Sequence, residues 1–343
     1  MADWPEAFSK IPLAELHLHA EGSISPDTAC ELAARRGLKL SPAEVAARYD
    51  YTNFSGFLEA FKWVTSLLRA PEDYALIIRC LCESLRAQNV RYAEVTVSAG
   101  VMFLRRQDVE ANFAAMRAAA TAERTFPRIQ WIFDAVRQFG PTAAVEVARV
   151  AADLRSAGVV ALGIGGDELS VPAADFRAGY DFAAANGLHR LVHAGEIGGP
   201  EQIRDAVECL GAERIGHGIA AIRDAALMAQ LKERHIPLEV CPTSNLRTGA
   251  LARQLGRSDA AVTDHPLPLL VRHGVPVTLS TDDPAMFKIG LREEYENARR
   301  MGLPVSALLE IARAGFEYAF LTEPEKKALL NTFEHETSRL GLL

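Results

Sequence analysis

The stretch LAELHLH, residues 13–19, is a short apolar run that ends in two histidines, and seven further runs of this type follow it along the chain. Longer segments with helical spacing separate the runs. This alternation is typical of parallel βαβ units and not of a sandwich or a helical bundle. Because eight such units can close on themselves, we predict an α/β fold, a (β/α)₈ barrel of the TIM type.

The predicted elements have definite positions. The eight strands lie at residues 13–19, 91–97, 129–136, 159–165, 189–195, 213–218, 236–242 and 275–283. Segments 108–125 and 141–158 have the apolar spacing of amphipathic helices, and we place them in the outer ring. Residues 27–90 contain several helical patterns, which indicates a helical insertion after the first strand that would serve as a lid. No repeat or long linker divides the chain, so we predict one domain over residues 1–343.

The composition restricts the classes of partner. A formal net charge of -7 argues against a nucleic-acid partner, because phosphate neutralisation needs clustered Lys and Arg. No run approaches the roughly 20 apolar residues of a membrane helix, and the N-terminal segment MADWPEAFSKIPLAE (1–15) lacks the basic start of an export signal. The five cysteines have no disulfide-framework spacing. We therefore predict a cytoplasmic protein with a small-molecule substrate; the sequence indicates no oligomeric state.

Polar side chains stand at the ends of four predicted strands. His17 and His19 end the first strand, His193 the fifth and His217 the sixth, while Asp282 ends the eighth. In a barrel of this type the carboxyl ends of the strands converge on the active site. Histidines two residues apart on a strand point to the same side, so His17 and His19 can share one metal ion.

Each of these motifs also has a structural explanation when it is taken alone. The HxH pair can arise by chance, Glu196 of HAGE (193–196) can stabilise the first turn of a helix, and STDDP (280–284) can be a turn or a helix cap. His217 of RIGHG can be an ordinary buried histidine. The joint order of the four motifs, each at a predicted strand end, favours an active site.

Several segments together resemble the adenosine deaminase family over nearly the whole chain. They are IPLAELHLHAEGS (11–23), GGDE (165–168), HAGE, RIGHG, CPTSN (241–245) and STDDP. The resemblance implies a barrel that holds one catalytic zinc ion and hydrolyses an exocyclic amine on a purine. It implies that His17, His19, His193 and Asp282 are the zinc ligands and that a water completes the coordination. Fe or Mn remain alternatives to Zn²⁺, because His and Asp ligands suit several divalent metals.

The resemblance also implies roles for the remaining site residues. Glu196 would donate a proton to purine N1. Asp283 would face N7, which requires a protonated carboxyl or a proton on N7, and the backbone N–H of Gly166 would contact N3. His217 would orient the water, accept its proton or stabilise the hydroxide, and the sequence leaves these roles open.

Three positions leave alternatives open. Adenosine-specific members carry Asp two residues after the second ligand histidine, where it reaches the ribose, but this chain has the longer Glu21. Glutamate there resembles the adenine deaminase branch and deaminases of modified nucleosides. Gly163 stands where family members often have Asp, so either a neighbouring residue supplies the carboxylate or the position serves packing. Arg137 matches a basic position of the family, yet an arginine at a strand end is as often a surface group.

We therefore predict a zinc-dependent purine aminohydrolase that deaminates an adenine-containing, adenosine-like nucleoside at C6 and releases ammonia. The alternative substrates are aminodeoxyfutalosine in menaquinone synthesis, free adenine, and a 6-substituted purine nucleoside or nucleotide. A hydrolase with two metals bridged by Lys or Glu on the fourth strand is disfavoured, because VVALGIG (159–165) contains neither. An alternative of a different class is a non-catalytic, metal-containing ligand sensor.

Overall fold

Eight parallel strands form the centre of the computed structural model, which describes residues 7–122 and 127–342. They pair in sequence order, each with the next along the chain. The strands are Leu13–His19 (β1), Val90–Val97 (β2), Arg128–Val136 (β3), Val159–Gly165 (β4), His189–Ala194 (β5), Arg214–His217 (β6), Leu238–Val240 (β7) and Val277–Leu279 (β8).

The first and last strands are joined by the segment that follows β8. Leu18 and Asp282 form a parallel bridge. The backbone N–H of His19 donates to the carbonyl oxygen of Asp282 at 2.8 Å, and the N–H of Asp282 donates to the carbonyl oxygen of His17 at 3.0 Å. The predicted (β/α)₈ barrel of the TIM type is confirmed, and its closing bond passes through predicted metal ligands.

Helices follow most strands and form the outer layer. They are Pro26–Ala34 (α1), Pro42–Arg48 (α2), Phe54–Thr65 (α3), Pro71–Ala87 (α4), Ala99–Leu104 (α5), Val109–Thr121 (α6), Gly140–Asp153 (α7), Arg177–Ala185 (α8), Pro200–Cys209 (α9), Ala225–Glu233 (α10), Pro242–Arg247 (α11), Ala250–Leu255 (α12), Leu267–His273 (α13), Pro284–Phe287 (α14), Leu291–Arg300 (α15), Val305–Glu317 (α16) and Glu323–Arg339 (α17). Because helices cover the sheet, β1 and β6 to β8 are buried along their whole length.

The helical insertion after the first strand is confirmed. Helices α1 to α4 occupy the chain between β1 and β2. Side chains of Ser25, Ser41 and Asn53 cap three of these helices by accepting backbone N–H bonds in the first turn. Phe57 of α3 stacks on Phe287 of α14, with ring centroids 5.3 Å apart, so the insertion reaches the segment that follows Asp283. Its role as a lid and the single domain over residues 1–343 stay predictions.

Some element boundaries differ from those predicted. The strands predicted at 236–242 and 275–283 are only three residues long, because Pro242 begins α11 and Asp282 turns the chain with a φ of 65°. The helix predicted at 108–125 is described to its end at Thr121, and residues 123–125 of that prediction lie outside the described residues. Residues 1–6 of the N-terminal segment lie outside them as well. In the part of the chain that is described, no helix is both long and apolar enough to cross a membrane.

Three buried charged side chains on different strands of the barrel contact one another, and we call them the interior ion network: Glu94 of β2, Arg214 of β6 and Glu239 of β7. Arg214 forms ion pairs with both carboxylates, and its Nε lies 2.6 Å from Glu239 Oε1. Glu94 also accepts a hydrogen bond from the Tyr92 hydroxyl at 2.7 Å. Burial of each charge is thus accompanied by a partner of opposite sign, the condition under which charges are tolerated in a protein interior.

Candidate metal and active site

Four side chains converge at the carboxyl ends of the strands. The ligating atoms of His17, His193, His217 and Asp282 all lie within 4.8 Å of one another. His17 extends from β1, His193 from β5 and His217 from β6, while Asp282 follows β8. The residues are far apart in sequence, and the barrel brings them together as predicted from the strand ends.

His19 lies at the edge of this group. Its Nε2 is 3.3 Å from Asp282 Oδ1, and Nε2 of His17 is 3.4 Å from the same oxygen. His217 approaches the other carboxylate oxygen, with Nε2 3.9 Å from Asp282 Oδ2. Four histidines therefore surround Asp282, whereas the resemblance implied a set of three histidines with this aspartate.

The donor set fits a divalent metal. Within the described residues, Nε2 of His17 is a buried nitrogen without a hydrogen-bond partner, although buried polar atoms are normally bonded. Imidazole nitrogens and one carboxylate are ligands that catalytic zinc uses. Burial lowers the pKa of His19 to about 4 and holds that of His193 well below its usual range, so both rings are neutral, as metal ligation requires. Burial also acts to lower the pKa of His17, but the carboxylates of Asp282 and Glu239 raise it to about 10, so a bound ion would displace a proton from this ring.

The ligand candidates are held by side chains behind them. Nδ1 of His17 lies 2.7 Å from Glu239 Oε2, and Nδ1 of His193 lies 3.0 Å from the carbonyl oxygen of Ile164. The Ser244 hydroxyl donates to Asp282 Oδ2 at 2.7 Å. Such contacts orient metal ligands and fix which ring nitrogen faces the ion. Glu239 was not predicted from the sequence; its signal is that it is the one charged residue in the otherwise apolar predicted strand 236–242.

The loop after β5 is fixed by Glu168. Its carboxylate accepts backbone N–H bonds from Gly195, from Ile197 at 2.8 Å and from Gly198 at 2.8 Å. These three donors flank Glu196 in sequence, so Glu168 sets the position of the predicted proton donor. Glu168 is the last residue of the GGDE segment, and no role was predicted for it from the sequence.

Glu196 is poised as an acid. Its Oε2 lies 3.7 Å from His217 Nε2, and its Oε1 accepts a bond from the Thr248 hydroxyl at 3.2 Å. Burial, with the nearby charges of Asp282 and Glu168, raises the pKa of Glu196 to about 8. The carboxyl group is therefore mostly protonated at neutral pH.

Asp283 and Glu21 are also buried. Burial, together with repulsion from Asp282, holds the pKa of Asp283 well above its usual range, which favours the protonated carboxyl. Glu21 accepts the Ser98 backbone N–H at 3.0 Å, and burial raises its pKa to about 7. A Cβ at Gly22 would lie 1.7 Å from Asp283 Oδ1, so only glycine lets the turn that carries Glu21 pack against Asp283.

A carboxyl group does lie beside Gly163. Asp134 of β3 pairs in register with Gly163 of β4, and a Cβ at Gly163 would lie 3.0 Å from Asp134 Oδ1. Burial raises the pKa of Asp134 to about 8. The structure thus favours the interpretation in which a neighbouring residue supplies the carboxyl group, and Gly163 leaves the space for it.

Arg137 is buried, so the interpretation of it as a surface group at a strand end is wrong. Its side chain is 1% exposed and donates to the carbonyl oxygen of His193 at 2.9 Å. It therefore supports the backbone of a ligand candidate. Gly166 has a φ of 96°, and a Cβ there would lie 2.2 Å from Gln138 Oε1, so this position after β4 requires glycine.

The chain matches one family and is similar to several known proteins. A family model described as adenosine deaminase matches residues 12–336. An aminodeoxyfutalosine deaminase from Streptomyces coelicolor is 40% identical over 336 residues, 96% of this chain and 85% of that protein. The crystal structure of an adenine deaminase from Arthrobacter aurescens has a TM-score of 0.87 at 28% identity, over 96% of this chain and 99% of that one. An amidohydrolase from Burkholderia ambifaria with bound zinc has a TM-score of 0.88 at 26% identity, over 99% and 95%.

Proposed function

We propose, because the chain belongs to the adenosine deaminase family, that it hydrolyses the exocyclic amine at C6 of an adenine-containing nucleoside and releases ammonia. The observation that carries this proposal is the Glu196 carboxyl group, which is buried 3.7 Å from His217 Nε2 beside a cluster of candidate metal ligands. Burial raises its pKa to about 8, which favours the acid form. C6 of a purine is a poor electrophile until N1 is protonated, and an acid next to a metal site supplies that proton.

The metal would be held by His17, His19, His193 and Asp282. Zinc is the first candidate, and iron or manganese are alternatives with the same ligand types. When bound, such an ion lowers the pKa of water from about 15.7 toward about 7 and so provides a nucleophile at neutral pH. The unpartnered Nε2 of His17, in the described part of the chain, supports this assignment.

Each proton that moves in the reaction then has a donor and an acceptor. Glu196 donates its proton to N1, the oxygen of the attacking water bonds to C6, and the bond from C6 to the amine nitrogen breaks. One proton of the water leaves with the amine as ammonia, and the other restores Glu196. Protonated Asp283 would donate a hydrogen bond to N7, and the N–H of Gly166 would donate to N3. The product is the 6-oxopurine.

Aminodeoxyfutalosine is the first substrate to test, followed by adenosine. The name of the Streptomyces coelicolor relative supports it. Within the described residues, Glu21 Oε2 is buried and lacks a partner, and a ribose hydroxyl would provide the missing donor. Free adenine is the second candidate, which the name of the Arthrobacter aurescens structure favours.

A substrate panel tests the proposal. The protein would be stripped with a chelator, reloaded with zinc, iron or manganese, and assayed for ammonia release from aminodeoxyfutalosine, adenosine, adenine and 6-substituted nucleotides. We expect turnover that requires the metal and is fastest on aminodeoxyfutalosine. Absence of turnover on all of them with every metal would overturn the proposal. Ligand binding that is the same in the wild type and in Glu196→Gln, without turnover in either, would instead indicate a sensor.

A further inference from the structure

A chain of hydrogen bonds runs from the protein backbone to His217. The backbone N–H of Leu267 donates to Nδ1 of His265 at 3.1 Å. Nε2 of His265 lies 3.2 Å from Asn245 Oδ1, and Nδ2 of Asn245 lies 3.1 Å from His217 Nδ1. His265, Asn245 and His217 are all buried, so water does not compete for these bonds.

The donor and the acceptor of each hydrogen bond follow from the first donor of the series, the backbone N–H of Leu267. A backbone N–H can only donate, so Nδ1 of His265 carries no proton and the proton of this ring is on Nε2. Nε2 therefore donates to the amide oxygen of Asn245. The amide nitrogen of Asn245 then faces His217 and donates to Nδ1. As a result, Nδ1 of His217 is an acceptor and its proton must be on Nε2.

The same series of hydrogen bonds excludes the reversed orientation of the Asn245 side-chain amide. Amide oxygen and nitrogen are hard to distinguish by shape, so the assignment has to come from the bonding network. With the amide reversed, Asn245 would donate to Nε2 of His265 while Leu267 donates to Nδ1. That ring would then have no proton on either nitrogen, which is not a stable state of histidine in a protein.

His217 thereby differs from the other histidines of the cluster. Nδ1 of His17 and of His193 each lies against an acceptor, a carboxylate and a carbonyl oxygen respectively, so each donates from Nδ1 and can offer a lone pair at Nε2. His217 has a donor at Nδ1 and an N–H at Nε2. Its Nε2 faces Glu196 at 3.7 Å and Asp282 at 3.9 Å.

We propose that Asn245 and His265 are positioning residues that hold His217 as a hydrogen-bond donor into the site. His217 then cannot ligate the metal, although it belongs to the group of four nearest ligating atoms, and His19 completes the ligand set. Of the three roles left open by the sequence, this inference favours orienting the water or stabilising its negative charge through Nε2–H. The meaning for catalysis rests on the proposed function, but the proton position does not.

The proton position can be measured directly. The zinc-loaded protein would be labelled with ¹⁵N at histidine, and the His217 signals would be assigned by their loss in His217→Gln. We expect the shift of a protonated nitrogen at Nε2 and of an unprotonated nitrogen at Nδ1. The reverse pattern, or Nε2 bound to zinc, would overturn the proposal.

Matched variants separate positioning from simple packing. In Asn245→Asp a carboxylate would accept from His217 Nδ1 and move the proton off Nε2, and we expect kcat to fall by about 10²–10³, the effect of losing one oriented donor. His265→Gln keeps an N–H toward Asn245 and is expected to keep the His217 proton on Nε2, with a higher kcat than His265→Leu. An unchanged ¹⁵N pattern in Asn245→Asp, or equal kcat values in the two His265 variants, would contradict the role.

The ¹⁵N measurement is independent of the proposed function, whereas the kcat comparisons require it. If no purine is deaminated but the proton of His217 is found on Nε2, the proposed function is wrong and the positioning role stands. If ammonia is released and the proton is found on Nδ1, the reverse holds.

Discussion

The barrel contains two groups of buried ionisable side chains, and they differ in how their polar atoms are partnered. In the interior ion network, Arg214 lies between the carboxylates of Glu94 and Glu239. Two atoms of this network, Arg214 Nε and Glu239 Oε1, make no hydrogen bond within the described residues, but they lie 2.6 Å apart as an ion pair. At the carboxyl ends of the strands, buried polar atoms of His17, Glu21, Asp134 and Asp283 have no hydrogen-bond partner among the residues described, residues 7–122 and 127–342.

This difference in hydrogen-bond partners indicates where a ligand binds. A buried polar atom without a partner costs the protein free energy of folding, about 1–3 kcal/mol for each group. Other buried atoms of the described residues also lack a hydrogen bond, but the four named here lie on side chains at the carboxyl ends of the strands, where a ligand would complete them. The two groups touch at the bond between His17 and Glu239, so the stable network also orients a metal ligand.

Replacing the acid of the carboxyl-end group should have the largest effect. Glu196→Gln keeps the size of the side chain but cannot transfer a proton, and we expect kcat for ammonia release to fall by about 10²–10⁴. Thermal unfolding should show no loss of stability, because an amide is cheaper to bury than an ionisable carboxyl group. A variant that retained wild-type kcat would remove Glu196 from the mechanism.

A substitution in the interior ion network should instead lower the stability of the protein. Arg214→Met leaves two buried carboxylates without a cation, and we expect the free energy of unfolding to fall by about 3–5 kcal/mol in denaturant titration. Asp283→Asn, the matched change in the carboxyl-end group, should lower activity without lowering that free energy. Equal losses of stability in the two variants would show that the two groups do not differ as we describe.

The barrel and much of its active-site end could be read from the sequence, whereas the interior ion network was not predicted. The eight apolar runs predicted the barrel, and polar residues at their ends predicted which side chains converge, because the carboxyl ends of barrel strands meet at one face. His17, His193, His217 and Asp282 are together in space as expected.

The supporting contacts could not be read from the sequence. Glu239, Glu168 and Asp134 act across strands, and their partners depend on register and on which way each side chain faces. The bond from Asn245 to His217 spans 28 positions, and no periodicity encodes it. A strand pattern gives the position of a residue but not the atom that it contacts.

The pH dependence of turnover tests the protonation of Glu196. Because the acid form donates the proton and its pKa is raised to about 8, activity should persist at neutral pH and fall as the pH rises through about 8. Above that value we expect kcat to fall about tenfold per pH unit, as the protonated fraction does. The residual activity of Glu196→Gln should lack this decline. A wild-type profile that stays flat to pH 10 would contradict the assignment.

The smallest effect is expected at Glu21. Glu21→Ala removes the carboxyl group and with it the contact with a substrate hydroxyl, worth about 1 kcal/mol or roughly fivefold. We expect kcat/KM for aminodeoxyfutalosine and adenosine to fall by this factor while kcat/KM for free adenine is unchanged. An equal change for all three substrates would show that Glu21 does not contact the sugar.

The proposed function depends on one catalytic metal at the carboxyl ends of the strands. It is tested most directly by a crystal structure of the zinc-loaded protein with anomalous data collected at the zinc edge. We predict a single peak bonded to Nε2 of His17, His19 and His193 and to Asp282, at about 2.0–2.2 Å, with His217 Nε2 beyond bonding distance. A peak elsewhere, a second metal in the barrel, or a bond from His217 to the ion would contradict the account.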